Sequence, residues 1–173
     1  SNDRPHISYW DLTNNNLKYA YYNGTAWLNE TVDSKGNVGY YTSLKLDSND
    51  DPHISYIDDT NKDVKYAYNH GNHWHNETVD SAENHETSLS LDSKDRPHIA
   101  YKSSGLKYAY HDGAKWNKEV VDSGREFGEY ASIALDGNDN PHISYYDNNN
   151  KNLKYAVIDD IIPSVISDET PVI

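Results

Sequence analysis

An all-β fold, a β-propeller or partial propeller of about four blades with four antiparallel strands each, is the class this sequence predicts. Three observations predict it. One unit of about 45 residues recurs nearly four times along the chain. Within each unit apolar and aromatic residues alternate with period two, and clusters of Asn, Asp and Gly interrupt the alternation at short intervals. Nothing in the chain has helical spacing.

The repeat is fixed by four registers that agree. Pro5-His6-Ile7-Ser8, Pro52-His53-Ile54-Ser55, Pro97-His98-Ile99-Ala100 and Pro141-His142-Ile143-Ser144 are separated by 47, 45 and 44 residues. Lys-Tyr-Ala recurs from Lys18, Lys65, Lys107 and Lys154, and Trp27, Trp74 and Trp116 each follow the lysine by 9 residues. Val32-Asp33-Ser34, Val79-Asp80-Ser81 and Val121-Asp122-Ser123 come next, and Leu46-Asp47, Leu91-Asp92 and Leu135-Asp136 close the units. The repeats span residues 1–157, about three and a half blades, and 158–173 form a divergent tail.

The second unit shows how each element is read. Thr42–Asp47 alternates and ends in a Ser-Asn-Asp-Asp turn; His53–Ile57 follows, then a turn over Asp58–Asp63, then Val64–Tyr68. A turn at Asn69-His70-Gly71 leads to the last strand, Trp74–Asp80. Asn, Asp and Gly suit these turns because they tolerate positive φ or bond their own backbone. Ser8, Ser55, Ala100 and Ser144 on the second strand, and Ala20, Ala67, Ala109 and Ala156 on the third, are small enough for one sheet to lie close on the next.

Composition narrows function. The chain of 173 residues carries 15 Lys+Arg against 28 Asp+Glu, a formal charge of −13, so the field that collects phosphate backbones is absent and nucleic acid is not an expected partner. With 16 Tyr and four Trp, the core has to be built from aromatics with polar edges, which suits sheets. There is no Cys, which excludes disulfides and thiolate metal sites. No apolar run approaches the roughly 20 residues that span a bilayer, so membrane insertion is not expected. A start at Ser1 without Met reads as a processed or partial chain, and Asn23, Asn29 and Asn76 head glycosylation sequons that matter only outside the cytoplasm.

The run Pro141-His142-Ile143-Ser144-Tyr145-Tyr146-Asp147, followed by Leu153-Lys154-Tyr155-Ala156, resembles the highly self-similar propeller repeats of bacterial and archaeal surface proteins, over residues 1–157. That resemblance implies the fold and not an activity. The strand layout around Asp112-Gly113 and Trp116 is also similar to a blade of the fucose-binding propeller lectins. Those lectins hold sugar between blades with an Arg, a Glu and an aromatic residue. The matching positions here carry His or Ser on the second strand and Tyr19, Tyr66 or Tyr108 on the third, and only the Trp is kept. A sugar site would therefore need different polar groups.

Candidate chemistry follows from the residue types. Trp27, Trp74 and Trp116 with Tyr21, Tyr68 and Tyr110 offer apolar faces for sugar C–H bonds and polar tips for hydroxyls, with packing between blades as the plainer role. His6, His53, His98 and His142 could ring a metal, but a residue repeated in every blade is expected to bond the Asp or Ser of an adjacent turn. His73 and His75 share a strand face beside His70, a spacing that can hold a transition ion, yet no further ligand accompanies them. The turns Asp47–Asp51, Asp92–Asp95, Asp136–Asn140 and Asp58–Asp63 place oxygens at alternate positions as calcium loops do, and none matches a full calcium signature. No nucleophile elbow, phosphate loop or unique acid pair is present, so no cofactor and no catalysis are expected.

These features point to a non-catalytic module of the cell exterior, binding glycan between blades. The alternative is a structural subunit that assembles with copies of itself. The first unit begins at Ser1-Asn2-Asp3 and so lacks its inner strand, while Pro163 stands where a Trp belongs in the fourth. Closure is then expected to need the tail or another chain: Ser164, Val165, Ile166 and Ser167 resemble an inner strand and are expected to pair near His6 or to insert into a neighbouring chain.

Overall fold

The computed structural model describes residues 4–81, 86–124, 127–159 and 162–166, with backbone alone at 127, 159 and 162–166. All regular structure in them is β, and no helix among the described residues is long and apolar enough to cross a membrane. The chain forms two compact units, Ser1–Thr87 and Ser88–Ile173.

In the first unit, β1 (His6–Asp11), β2 (Asn16–Tyr22) and β3 (Trp27–Asp33) make a three-stranded sheet, and β4 (Val38–Leu46), β5 (Pro52–Asp58), β6 (Asp63–His70) and β7 (His73–Ser81) make a four-stranded one. In the second unit, β8 (Thr87–Leu91), β9 (Pro97–Lys102), β10 (Gly105–His111) and β11 (Trp116–Ser123) form one sheet, and β12 (Phe127–Leu135), β13 (Pro141–Asp147), β14 (Asn152–Asp159) and β15 (Ile162–Ile166) the other. Each sheet is an antiparallel meander. The first has three strands among the described residues.

The turns form because Asp side chains satisfy backbone donors that the strands leave behind. Asp58 accepts the N–H groups of Thr60 and Asn61 at 3.0 and 3.1 Å, while Asn61 donates its amide to the second oxygen at 2.8 Å. Asp147 does the same for Asn149 and Asn150. In the preceding turn Asp47 accepts from Asn49 and Asp51, both at 2.8 Å.

Within each unit the front face of one sheet rests on the back face of the sheet before it. Ile54, Tyr56 and Ala67 cover Leu17, Tyr19 and Val32 in the first unit. Ile143, Tyr145 and Ala156 cover Leu106, Tyr108 and Val121 in the second. Close approach is built in: a Cβ on Gly39, at φ +110°, would stand 2.8 Å from the Leu17 Cα. The backbone bulges after this glycine, with the register shifting between Val38 and Ser43 and Tyr41 at φ +50°. That bulge is why β4 begins at Val38, four residues before the strand start expected at Thr42.

The version of the tail expectation that pairs it near His6 needs correction. The backbone of Ile162–Ile166 pairs with β14, Tyr155 opposite Ile166 and Val157 opposite Ser164, and forms the outer strand of its own sheet. It does not pair near His6. A hairpin to the adjacent strand closes a shorter loop than a return to the start of the chain, so it costs less entropy. Ser167 lies outside the described residues.

Candidate functional site

The aromatic residues converge where the two sheets of the Ser1–Thr87 unit meet. β2 and β1 place Tyr19, Tyr21 and His6 on one face, because Tyr21 lies opposite His6 and Tyr19 opposite Ser8. Tyr21 stacks on Tyr19 at 5.7 Å and on His6 at 6.2 Å. From β7 of the next sheet, Trp74 meets the Tyr19 ring edge-on at 5.4 Å and donates its indole N–H to Glu30 Oε2 at 2.8 Å. Trp74 and Glu30 are both half-buried. Burial and the Glu30 charge push the Tyr19 phenol well above its ordinary range, so it stays a neutral hydrogen-bonding group.

A buried polar node holds the same two sheets together. Asp33 at the end of β3 accepts the Tyr56 hydroxyl at 2.7 Å and the Lys65 ammonium at 2.5 Å. Burial pushes its carboxyl upward, but these donors and the Lys35 N–H outweigh that and hold it below the usual carboxylate range. The second unit repeats the node: Asp122 accepts Tyr145 and Lys154, both at 2.6 Å.

The repeated histidines are structural. Each Nδ1 is hydrogen-bonded to a tyrosine hydroxyl, His6 to Tyr19, His53 to Tyr66, His98 to Tyr108 and His142 to Tyr155. His53, His98 and His142 present Nε2 to Asp47, Asp92 and Asp136 at 3.7, 3.7 and 3.6 Å. In these three the carboxylate favours the proton on Nε2, which leaves Nδ1 to accept from the tyrosine. The adjacent-turn Asp was expected; the tyrosine partner was not.

Of the six aromatic residues singled out in the sequence, the structure brings Trp74 and Tyr21 together against one core. Trp27 is 50% exposed and leans on Tyr22. Trp116 meets His111 edge-on at 5.4 Å. Tyr68 stacks with His53, Tyr66 and, at 4.9 Å, His75; Tyr110 stacks with His98 and Tyr108. Among the described residues no group of three or more His, Asp or Glu side chains is arranged to hold a metal ion. Oxygens of the acidic turns are engaged by their own backbone, as at Asp136, whose carboxyl is lowered to about 2 by the Asn140 and Asn138 donors.

Glu30 was missed in the sequence. Its signal was there: Trp27-Leu28-Asn29-Glu30, Trp74-His75-Asn76-Glu77 and Trp116-Asn117-Lys118-Glu119 repeat a Trp and a Glu three residues apart. On a strand this spacing puts the two on opposite faces, so the Glu of one sheet is offered to the Trp of the next.

No protein-family model and no curated protein matches the chain. Solved structures do. The chain is similar to a fucose lectin from Kordia zhangzhouensis solved with methyl-fucoside, at 19% identity and a TM-score of 0.51, over 75% of this chain and 99% of that one. It is also similar to AofleA from Arthrobotrys oligospora, at 12% identity and a TM-score of 0.63, over 96% of this chain and 57% of that one. A triple arginine mutant of AofleA matches with a TM-score of 0.64. These likenesses establish a propeller-like, all-β arrangement of sheets, and the chain spans little more than half the length of AofleA.

Proposed function

We propose that this chain is a non-catalytic carbohydrate-recognition module of the cell exterior, and that the surface beside Trp74 takes the sugar. The observation that carries this reading is the half-exposed Trp74 indole holding the Glu30 carboxylate at 2.8 Å next to the Tyr19 and Tyr21 rings. The Trp74 indole and the Tyr21 ring, both only partly buried over the buried Tyr19, accept sugar C–H bonds, and a carboxylate with about four lone-pair sites still accepts sugar hydroxyls after one is used. The acceptor is oriented before the ligand arrives, which lowers the cost of binding. The fold likeness to a lectin solved with methyl-fucoside supports a ligand of monosaccharide size. The Arg of that type of site is replaced in this reading by uncharged tyrosine.

A glycan array probed with the full chain tests the reading. Binding to a defined set of glycans, weakened at least tenfold by Glu30→Gln, supports it. No binding to any glycan at millimolar free sugar, about −4 kcal/mol or weaker, refutes it.

A further inference from the structure

The two internal sheet interfaces are made by equivalent residues, and the first and fourth sheets each keep their remaining face open. On back faces, Leu17 and Leu106 are 0% exposed, whereas their counterpart Leu153 on β14 is 79% exposed. Tyr19 and Tyr108 are 4% and 3% exposed, against 39% for Tyr155. On front faces, Ile54 and Ile143 are 0% exposed and Tyr56 and Tyr145 are 0% and 1%, against 47% for Ile7 and 38% for Tyr9 on β1. So the first sheet presents an uncovered front and the fourth sheet an uncovered back.

We infer that the open front of the β1–β3 sheet and the open back of the β12–β15 sheet are docking surfaces for a second copy of this chain, joined head to tail. The occupant is identified by the interfaces already present. A front of this sequence covers a back of this sequence twice within the chain, so the surface that fits Leu153 and Tyr155 is the one carrying Ile7 and Tyr9. Polar groups agree. Tyr56 with Lys65, and Tyr145 with Lys154, each converge on a carboxylate of the sheet they cover. Their counterparts on the open front are Tyr9 and Lys18; Lys18 Nζ falls back on Thr31 of its own sheet at 2.9 Å. A front covering a back is heterologous, so each copy keeps one surface free after a dimer forms, and growth continues until a ring closes or a filament extends. The contact is a face-to-face one and needs no exchanged strand. It does not depend on sugar binding, and its test reads mass, not glycan affinity.

Sedimentation velocity of the full chain over a dilution series is the test, with Ile7→Arg and Leu153→Arg as variants. Both positions are exposed, and circular dichroism confirms folding; if either variant unfolds, Ile7→Thr and Leu153→Gln replace them. The wild-type chain is expected to associate above about 100 μM. Each variant alone is expected to lose at least tenfold in association, because a charge is buried unpaired. Mixed in equal amounts, the two variants are expected to form a dimer and nothing larger, since each retains the surface the other lacks. A wild-type chain that stays monomeric at every concentration overturns the inference, as does a mixture that fails to pair.

Discussion

The Asp33 carboxylate accepts a buried tyrosine hydroxyl and a buried lysine at once, and its removal leaves Lys65 uncompensated between two sheets. Asp33→Ala is expected to cost about 3 kcal/mol of stability, the range for breaking one side of a buried ion pair. Tyr56→Phe, which removes one hydrogen bond to a charge, is expected to cost about 1.5–2 kcal/mol; urea unfolding of the two variants measures the difference. His98 sets a pH dependence. Burial lowers its imidazole from the ordinary 6.5, outweighing the pull of Asp92. The unfolded chain therefore takes up this proton more readily than the folded one. Stability from His98 is complete above pH 6.5 and is lost as pH falls below it. Melting temperature is expected to fall between pH 7.5 and 5.5, and the slope to flatten in His98→Asn. The neighbouring Asp92 is also held low, by backbone and Arg96 donors that outweigh burial, so a second loss follows only in stronger acid, below 3.8.

At the scale of the strand, Gly39 and Gly128 decide how near one sheet comes to the one before it. Their Cβ positions fall 2.8 and 2.9 Å from the Cα atoms of Leu17 and Leu106, against backbone that cannot yield, and both have positive φ. Gly39→Ala is expected to destabilise by about 2 kcal/mol or more, combining strain with a lost close contact, whereas Gly71→Ala, with open space around it and φ +61°, costs only its backbone strain. Chemical denaturation of the pair separates the two effects. The strands themselves were legible: period-two alternation located β5 and β6 to within two residues because those strands lie deep in the core and their turns are fixed by Asp58 and Asp47. The bulge at Gly39–Tyr41 was not, because it breaks the alternation that reveals a strand. The tail was misplaced for a related reason: resemblance to an inner strand says which residues could pair, while local connection decides which strand they reach.

Over the whole chain, the repeat gave the sheets and their order, and each internal interface reuses one set of contacts: Ile and Tyr on the front, Leu and Tyr on the back, and an Asp node bonded by Tyr and Lys. The aromatic candidates were only partly legible, since all three repeat Trp residues look alike in sequence and differ by which sheet stands against them: Trp74 meets Tyr19 and Glu30, and Trp27 is left half exposed. Trp74, and not the other indoles, is therefore the reporter of ligand. The most direct measurement is a titration of the full chain with the best array glycan, following the four indole N–H resonances by NMR. The Trp74 resonance is predicted to shift saturably, with the shift abolished in Glu30→Gln; a glycan that binds while the Trp74 resonance stays still would contradict the Trp74 surface as the site.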